Sequence, residues 1–283
     1  MRNFVAVLAL LLCFAPAAVD SPLDSRRQSP AAETATQKQA WDLLEKGASD
    51  HNIDKRANAI QALGLDIGDT SAVRMAENAL ADPAAFVRAA AAKALGALGS
   101  PDSIPKLQPL LNDKDISVAL AAGHALVQLK SNSGYDLYYA LVVGNRKGSR
   151  SLITQELDQM RTPSRAIGFA FDQGVGFLPY GGYGMEALHA WRERNTAPTR
   201  AAAARELSDD PDPRTGEALA KAVSDNAWVV RAAALEAIAK RGNPILLADI
   251  VPAMSDKKDI VRYSAAAAVL RLSRLAQESP TPR

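Results

Sequence analysis

Apolar and small residues recur at helical spacing through the clearest segment of the chain, from Ala84 to Leu98. They stand three or four positions apart, at Val87, Ala91, Leu95 and Leu98. This spacing places them on one face of a helix, and that face is predicted to be core. The turn Gly99-Ser100-Pro101 follows, and a second helix is predicted from Ser103 to Leu111. The pattern therefore predicts a helical hairpin.

The same hairpin pattern returns along the chain with a period of about 31 residues. The positions equivalent to Arg88 are Arg56, Arg88, Ala119, Arg200, Arg231 and Arg262. The interval from Ala119 to Arg200 does not hold a whole number of repeats, so a different segment is predicted there. Stacked hairpins bury one continuous core and leave long curved surfaces. The sequence therefore predicts an all-α fold, a right-handed α-solenoid of helical hairpins with an irregular central segment.

In the copy that begins at Asp82, a Val-Arg pair is followed by alanines and then by Ala94-Leu95-Gly96. With these residues the units resemble the HEAT-like repeats of the phycobilin-lyase type. The resemblance implies that an aspartate six residues before each arginine caps the helix, and that the arginines form a ladder between repeats. The implied ladder residues are Asp50, Arg56, Asp82, Arg88, Asp225, Arg231, Asp256 and Arg262. By the same rule, Asp113 should lack its arginine and Arg200 its aspartate.

Changes of composition divide the chain into six predicted segments. Arg2, followed by an apolar run that ends at Phe14, predicts a cleaved signal peptide. We therefore expect the protein to be periplasmic or secreted. The segments are a signal peptide at 1–17, a flexible leader at 18–37, N-terminal repeats at 38–145, an irregular central segment at 146–195, C-terminal repeats at 196–275 and a tail at 276–283.

The central segment is rich in aromatic residues and glycine, and it is poor in charge. Three roles stay open for its aromatic residues: filling the core, docking a protein partner, or inserting into a membrane interface. The candidate binding residues are Phe177, Leu178, Tyr180, Tyr183 and Trp191. Of the three roles, partner docking and membrane contact would need these side chains to be exposed.

Charge and residue chemistry exclude several functions. The 33 basic and 31 acidic residues are interspersed, so no basic surface for nucleic acid is expected. Cys13, the only cysteine, lies in the predicted signal peptide, so no disulfide is expected. The three histidines are far apart and lack carboxylates at metal-ligand spacing; they are His51, His124 and His189. We therefore predict no metal and no cofactor.

The resemblance also makes an enzymatic function an alternative. Some relatives of this repeat class are bilin lyases or iron-dependent hydroxylases with His-Glu pairs. His124 and His189 lack the following glutamate, so no catalytic residue is predicted. The favoured function is non-catalytic binding of a protein partner. The alternatives are an enzyme or enzyme subunit, an oxidoreductase among them, and a protein associated with a membrane interface.

One further line of residues is predicted to lie exposed on the concave face of the solenoid. It consists of the residues five positions after each ladder position: Gln61, Lys93, His124, Arg205, Glu236 and Ala267. Lys93, His124, Arg205 and Glu236 are the candidate binding residues on this line. Their mixed charge argues against a simple polyanion as partner. The alternative, that each is an ordinary solvated side chain, stays open.

Overall fold

The computed structural model describes residues 30–142 and 196–278 of the chain, with side chains at 34–139 and 196–278. Within these ranges the regular secondary structure is helical. The α-helices are α1 (Pro30–Ala48), α2 (Ile53–Ala62), α3 (Thr70–Ala79), α4 (Ala85–Leu98), α5 (Ile104–Leu107), α6 (Ile116–Gln128), α7 (Asn132–Val142), α8 (Ala197–Glu206), α9 (Pro213–Ala222), α10 (Trp228–Arg241), α11 (Leu247–Ile250) and α12 (Asp259–Glu278). The predicted all-α solenoid is confirmed.

The hairpins form for local reasons that their sequences show. α4 ends because Gly99 adopts a left-handed conformation, with φ at 68°, which glycine does without steric cost. α10 ends in the same way at Gly242, where φ is 63°. A proline then opens a short 3-10 turn in both hairpins, at Pro101 and at Pro244. Each first helix is consequently followed by a sharp turn into a shorter second helix.

Both ends of the described chain are more helical than the sequence indicated. α1 begins at Pro30, inside the segment predicted as a flexible leader, and α12 continues to Glu278, inside the predicted tail. Proline suits the first turn of a helix, and the alanines after it favour helix. Ala40 and Leu44 of α1 are fully buried. The two terminal helices pack against each other, and this tertiary contact stabilises them both.

The first helices of the hairpins stack in an order that differs from their order along the chain. α8 packs on α10, and α10 packs on α12. α12 then packs on α2, followed by α4 and α6. The C-terminal repeats therefore precede the N-terminal repeats in the stack. The chain between Val142 and Thr196 joins the two opposite ends of this stack.

Small residues let neighbouring first helices approach closely. A Cβ atom at Gly96 of α4 would lie 2.9 Å from the Cα of Ala125 in α6. At Gly64, after α2, it would lie 3.1 Å from the Cβ of Ala97. The core between the helices is consequently built largely from buried alanines, with leucine and isoleucine filling the wider spaces.

α1 serves as the second helix for α12. It packs along α12 and also on α2, the next first helix in the stack. Gly47, near the end of α1, meets Tyr263, near the start of α12, so the two helices run antiparallel as in a hairpin. A Cβ at Gly47 would lie only 2.6 Å from atoms of the Tyr263 ring. We call the contact of α12 with α1, α2 and residues 63–69 the junction.

α7 packs on α6 at the other end of the N-terminal repeats. A Cβ at Gly134 would lie 2.7 Å from the carbonyl oxygen of Gly123, so the two helices touch through their backbones. Leu137 is buried in this contact, whereas Tyr135 and Tyr139 on the opposite face are exposed. α7 therefore covers the end of the stack with one face and offers a second, aromatic face.

Candidate functional site

Each ladder arginine bridges two neighbouring repeats. Arg88 Nη1 donates hydrogen bonds to the backbone carbonyls of Asp82 at 3.0 Å and Pro83 at 3.2 Å, in its own hairpin. Its Nε and Nη2 donate to the two carboxylate oxygens of Asp113, each at 2.8 Å. One guanidinium therefore fixes the turn of its own hairpin and binds the next hairpin in a bidentate pair, a strong and directional contact.

The same bidentate contact recurs between neighbouring repeats in both halves of the chain. The pairs are Arg56–Asp82, Arg88–Asp113, Arg200–Asp225 and Arg231–Asp256. Each aspartate belongs to the next repeat and not to the position six residues before the arginine. Asp113 and Arg200, which lack an arginine and an aspartate at the six-residue spacing, are both paired across repeats.

The ladder aspartates shape the turns and do not cap the helices. Asp82 Oδ1 accepts a hydrogen bond from the backbone N–H of Ala84 at 2.8 Å, which closes a turn before α4. Ala84 itself is the residue at the N-cap of α4, without a side-chain hydrogen bond. Asp225 and Ala227 repeat this arrangement before α10. The capping role that the resemblance implied is thus corrected to a turn that presents the carboxylate to an arginine.

The ladder changes partners at the junction. Arg262 of α12 donates to the backbone carbonyl of Asp256 at 2.7 Å and to the carboxylate of Asp259 in its own helix. Asp50 stands in the next repeat of the stack, and its carboxylate is 3.4 Å from the Nζ of Lys55. Both residues therefore pair within their own repeats, and other side chains hold the junction together.

The ladder shifts the pKa values of its own carboxyl groups. Burial alone would raise the pKa of Asp256, but hydrogen bonds from Arg231 and from a backbone N–H outweigh burial and lower it. The same balance lowers the pKa values of Asp82, Asp113 and Asp225. These carboxylates thus stay ionised and engaged between repeats, which makes the ladder a structural device.

The predicted line of exposed residues is mostly half-buried. His124 is exposed, as expected, whereas Ala267 is fully buried because α12 lies at the junction in the middle of the stack. The half-buried members of the line are Gln61, Lys93, Arg205 and Glu236. The expectation that the whole line is exposed was therefore wrong, although all six positions lie on successive first helices.

Charges on the C-terminal part of this line are paired with one another. Arg205 Nε of α8 donates to Glu236 Oε2 of α10 at 2.9 Å. One helical turn further on, Lys240 Nζ lies 2.7 Å from a carboxylate oxygen of Asp209. These pairs link neighbouring helices, so a partner at this part of the line would have to compete with them.

The N-terminal part of the same surface has a different composition. Phe86 of α4 is 42% exposed, and His124 and Gln128 of α6 are exposed as well. The exposure of Phe86 was not predicted, because its position in the repeat is an ordinary helical one. The exposed Tyr135 and Tyr139 of α7 were likewise missed, since their spacing of four residues also fits a buried face.

The central candidate residues lie outside the described residues. They are Phe177, Leu178, Tyr180, Tyr183 and Trp191. Another surface feature, an open groove between α1 and α3, was not anticipated. It is lined by Trp41, Glu45, Ser71, Arg74, Met75 and Asn78.

In residues 30–142 and 196–278, no group of three or more His, Cys, Asp or Glu residues could hold a metal ion. None of the helices in these ranges is long and apolar enough to span a membrane.

Comparison with known proteins identifies the repeats. A family model described as HEAT repeats matches residues 42–127 and 185–271. A structure of human deoxyhypusine hydroxylase in complex with glycerol is 18% identical and has a TM-score of 0.35, with 87% of this chain and 100% of that chain covered. An engineered protein is 14% identical and has a TM-score of 0.26, with 85% and 97% covered.

No match is found among curated proteins. The two solved structures are too distant, in identity and in TM-score, to say anything about activity. The family model, in contrast, covers more than half of the sequence and coincides with the stacked hairpins. The chain therefore belongs to the family of HEAT-repeat proteins.

Proposed function

We propose that the protein is a non-catalytic scaffold that binds a protein partner along the concave face of its solenoid, in the periplasm or outside the cell. One observation carries this proposal: the first helices form an uninterrupted stack that runs from α8 through α12 and α2 to α6. Their outward side chains make one elongated surface, the kind of surface on which repeat proteins bind extended partners.

The part of this surface on α4 and α6 is the best supported binding region. Phe86 supplies exposed aromatic area on α4, and His124 supplies an exposed polar group on α6, the next first helix in the stack. Exposed aromatic residues contribute a large share of the binding energy at protein interfaces. On α8 and α10, in contrast, Arg205 and Glu236 already satisfy each other.

A pull-down from the periplasmic and secreted fractions tests this proposal. Phe86→Ala combined with His124→Ala should weaken capture of the partner about tenfold or more, because the ring area is lost. Glu217→Ala combined with Lys221→Ala is the matched control, since both residues are exposed on the second helix α9. Unchanged capture by the first variant, or equal loss in the control, would contradict binding at α4 and α6.

The central aromatic residues are proposed as a second part of the binding surface. Phe177→Ser combined with Tyr180→Ser should then weaken binding by about 2 kcal/mol or more and leave the melting temperature nearly unchanged. A strong fall in melting temperature would instead assign the two rings to the core, because truncation of a buried ring costs about 3–5 kcal/mol.

Flotation with neutral liposomes tests the membrane alternative with the same two proteins. If the wild type floats and the Phe177→Ser, Tyr180→Ser variant does not, the central residues contact lipid and the protein-partner proposal for them fails. Elemental analysis of the purified chain tests the enzymatic alternative. About one iron or zinc per chain, lost on substitution of His124 or His189, would favour a metal-dependent enzyme.

A further inference from the structure

The groove between α1 and α3 lies where two neighbouring second helices stand apart. On its other side, α3 is bridged to the next hairpin, because Ser103 Oγ donates to Glu77 Oε1 at 2.9 Å and Lys106 Nζ donates to Glu77 Oε2. Toward α1, the two helices instead leave a groove with a volume of about 410 Å³. A space of this size suits a small molecule or a few residues of a peptide.

The groove is lined by one face of each helix. Trp41 and Glu45 stand four positions apart on α1 and therefore share a face. The four lining residues of α3 also recur at intervals of three or four positions: Ser71, Arg74, Met75 and Asn78. Trp41 and Met75 are half-buried and pack against the hydrophobic core. These two side chains form an apolar base, and polar side chains rise on both walls.

The two walls carry opposite charges that are not paired with each other. Glu45 on α1 is exposed, and its carboxylate has no ion-pair or hydrogen-bond partner among the described residues. Arg74 on α3 is exposed as well, and its Nη2 donates to Ser71 Oγ at 2.8 Å. That hydroxyl keeps its own proton to donate, so Arg74 and Ser71 together offer several donors to one anionic group. The nearby Asp69 carboxylate is already engaged by two backbone N–H groups at the start of α3.

We propose that this groove binds short apolar peptides by both of their charged ends. The terminal carboxylate binds Arg74 and Ser71, the terminal ammonium group binds Glu45, and an apolar side chain packs on Trp41 and Met75. Charge complementarity favours such a zwitterion, because a simple anion or cation would bring a like charge to one of the two walls. The groove lies on second helices, away from the concave surface, so this proposal does not depend on the proposed function.

Two facing walls favour a dipeptide or tripeptide over a single amino acid. In an amino acid the carboxylate and the ammonium group share one carbon atom, so both would lie near the same wall. Each added residue separates the two groups by about 3.3–3.6 Å in an extended chain. A short peptide can therefore reach both walls and still place a side chain on the apolar base.

Isothermal titration calorimetry of the full chain with leucyl-leucine tests the site. We expect saturable binding. The same dipeptide with an acetylated amino end and an amidated carboxyl end is the matched ligand, since it keeps both apolar side chains and loses both charges. It should bind about tenfold more weakly or worse. Equal binding of the two ligands would overturn the proposal, because the groove would then accept an internal stretch of a polypeptide chain.

Substitutions on the two walls place the binding in this groove. Glu45→Gln and Arg74→Gln remove one charge each at exposed positions, and each should weaken binding of leucyl-leucine about fivefold or more. Glu217→Gln and Arg214→Gln, at exposed positions of α9, are the matched controls and should bind it as the wild type does. Absence of saturable binding at about 10 mM dipeptide, or equal loss in the wall and control variants, would overturn the proposal.

Discussion

At each ladder position, one arginine satisfies polar groups that the stacking of two hairpins would otherwise bury without partners. Arg231 Nη1 donates to two backbone carbonyls of its own turn, and its Nε and Nη2 donate to both carboxylate oxygens of Asp256. Removing the arginine leaves these half-buried acceptors without their hydrogen-bond donor. Water cannot replace all of the lost hydrogen bonds, because the site is only partly accessible to solvent. The pair therefore matters for stability more than an exposed ion pair would.

We expect Arg231→Ala to lower the free energy of unfolding by about 1–3 kcal/mol and to leave partner binding intact. Arg214→Ala is the matched control, because Arg214 also pairs with an aspartate but is 89% exposed, and it should have no measurable effect. Urea unfolding of both variants measures the difference. Loss of binding in Arg231→Ala without loss of stability would place this arginine in the binding site.

The lowered pKa values of the ladder carboxyl groups predict an acid limit to stability. Since their pKa values lie below those of the unfolded chain, the ladder's contribution is complete above about pH 4 and is lost as the pH falls through the folded values. Asp256→Asn should lose stability less steeply between pH 5 and pH 2 than the wild type. Equal slopes for the two proteins would show that the ladder does not set the acid limit.

At the residue scale, the sequence predicted six of the residues that pair between repeats, but not how they pair, and it left out Asp113 and Arg200. The spacing of six residues between Asp82 and Arg88 is visible in one repeat. The hydrogen bond from Arg88 to Asp113 is not visible in one repeat, because it depends on how one hairpin packs on the next. The exposure of Ala267 was wrongly predicted: it is fully buried in α12, which packs against helices of both halves of the chain.

At the scale of elements, α1 shows how a helix without a repeat motif acquires its place. It lacks the ladder arginine, so periodicity could not detect it. Its partner α12 starts more than 200 residues later. At the position after the ladder arginine, α12 differs from four other first helices, because it has Tyr263 where they have alanine. The four alanines are Ala57, Ala89, Ala201 and Ala232. The larger ring of Tyr263 packs directly against Gly47 of α1.

Gly47→Ala tests this packing. Alanine favours helix over glycine by about 1 kcal/mol, yet its Cβ would lie 2.6 Å from the Tyr263 ring and 2.8 Å from the Cβ of Ala59. We expect a net loss of about 1–3 kcal/mol in the free energy of unfolding, measured in urea.

Gly216→Ala in α9 is the control for Gly47→Ala. Its Cβ would meet Leu246 at an ordinary 3.6 Å, so we expect it to be neutral or to stabilise by up to about 1 kcal/mol. If the two substitutions change the free energy of unfolding by similar amounts, then α1 and α12 do not pack closely enough at Gly47 to exclude a Cβ atom.

At the scale of the whole molecule, the junction joins two halves of the chain without a covalent link at that place. The link that does exist, residues 143–195, connects the far ends of the stack. We therefore expect that, once a protease site placed in this segment has been cut, the two halves still elute together in gel filtration. Separation of the fragments under these conditions would show that the junction alone cannot hold them.

The antiparallel pairing of α1 with α12 has a consequence for the order of the helices. Because Gly47 meets Tyr263, the beginning of α1 and the end of α12 lie at the same end of the pair. A short linker from Glu278 to Pro30, with new termini opened within 143–195, would give a circular permutant whose helices follow one another as they do in space. The described helices of the natural chain therefore start in the middle of the stack, with Pro30 of α1 and Glu278 of α12 at the same end of one helix pair.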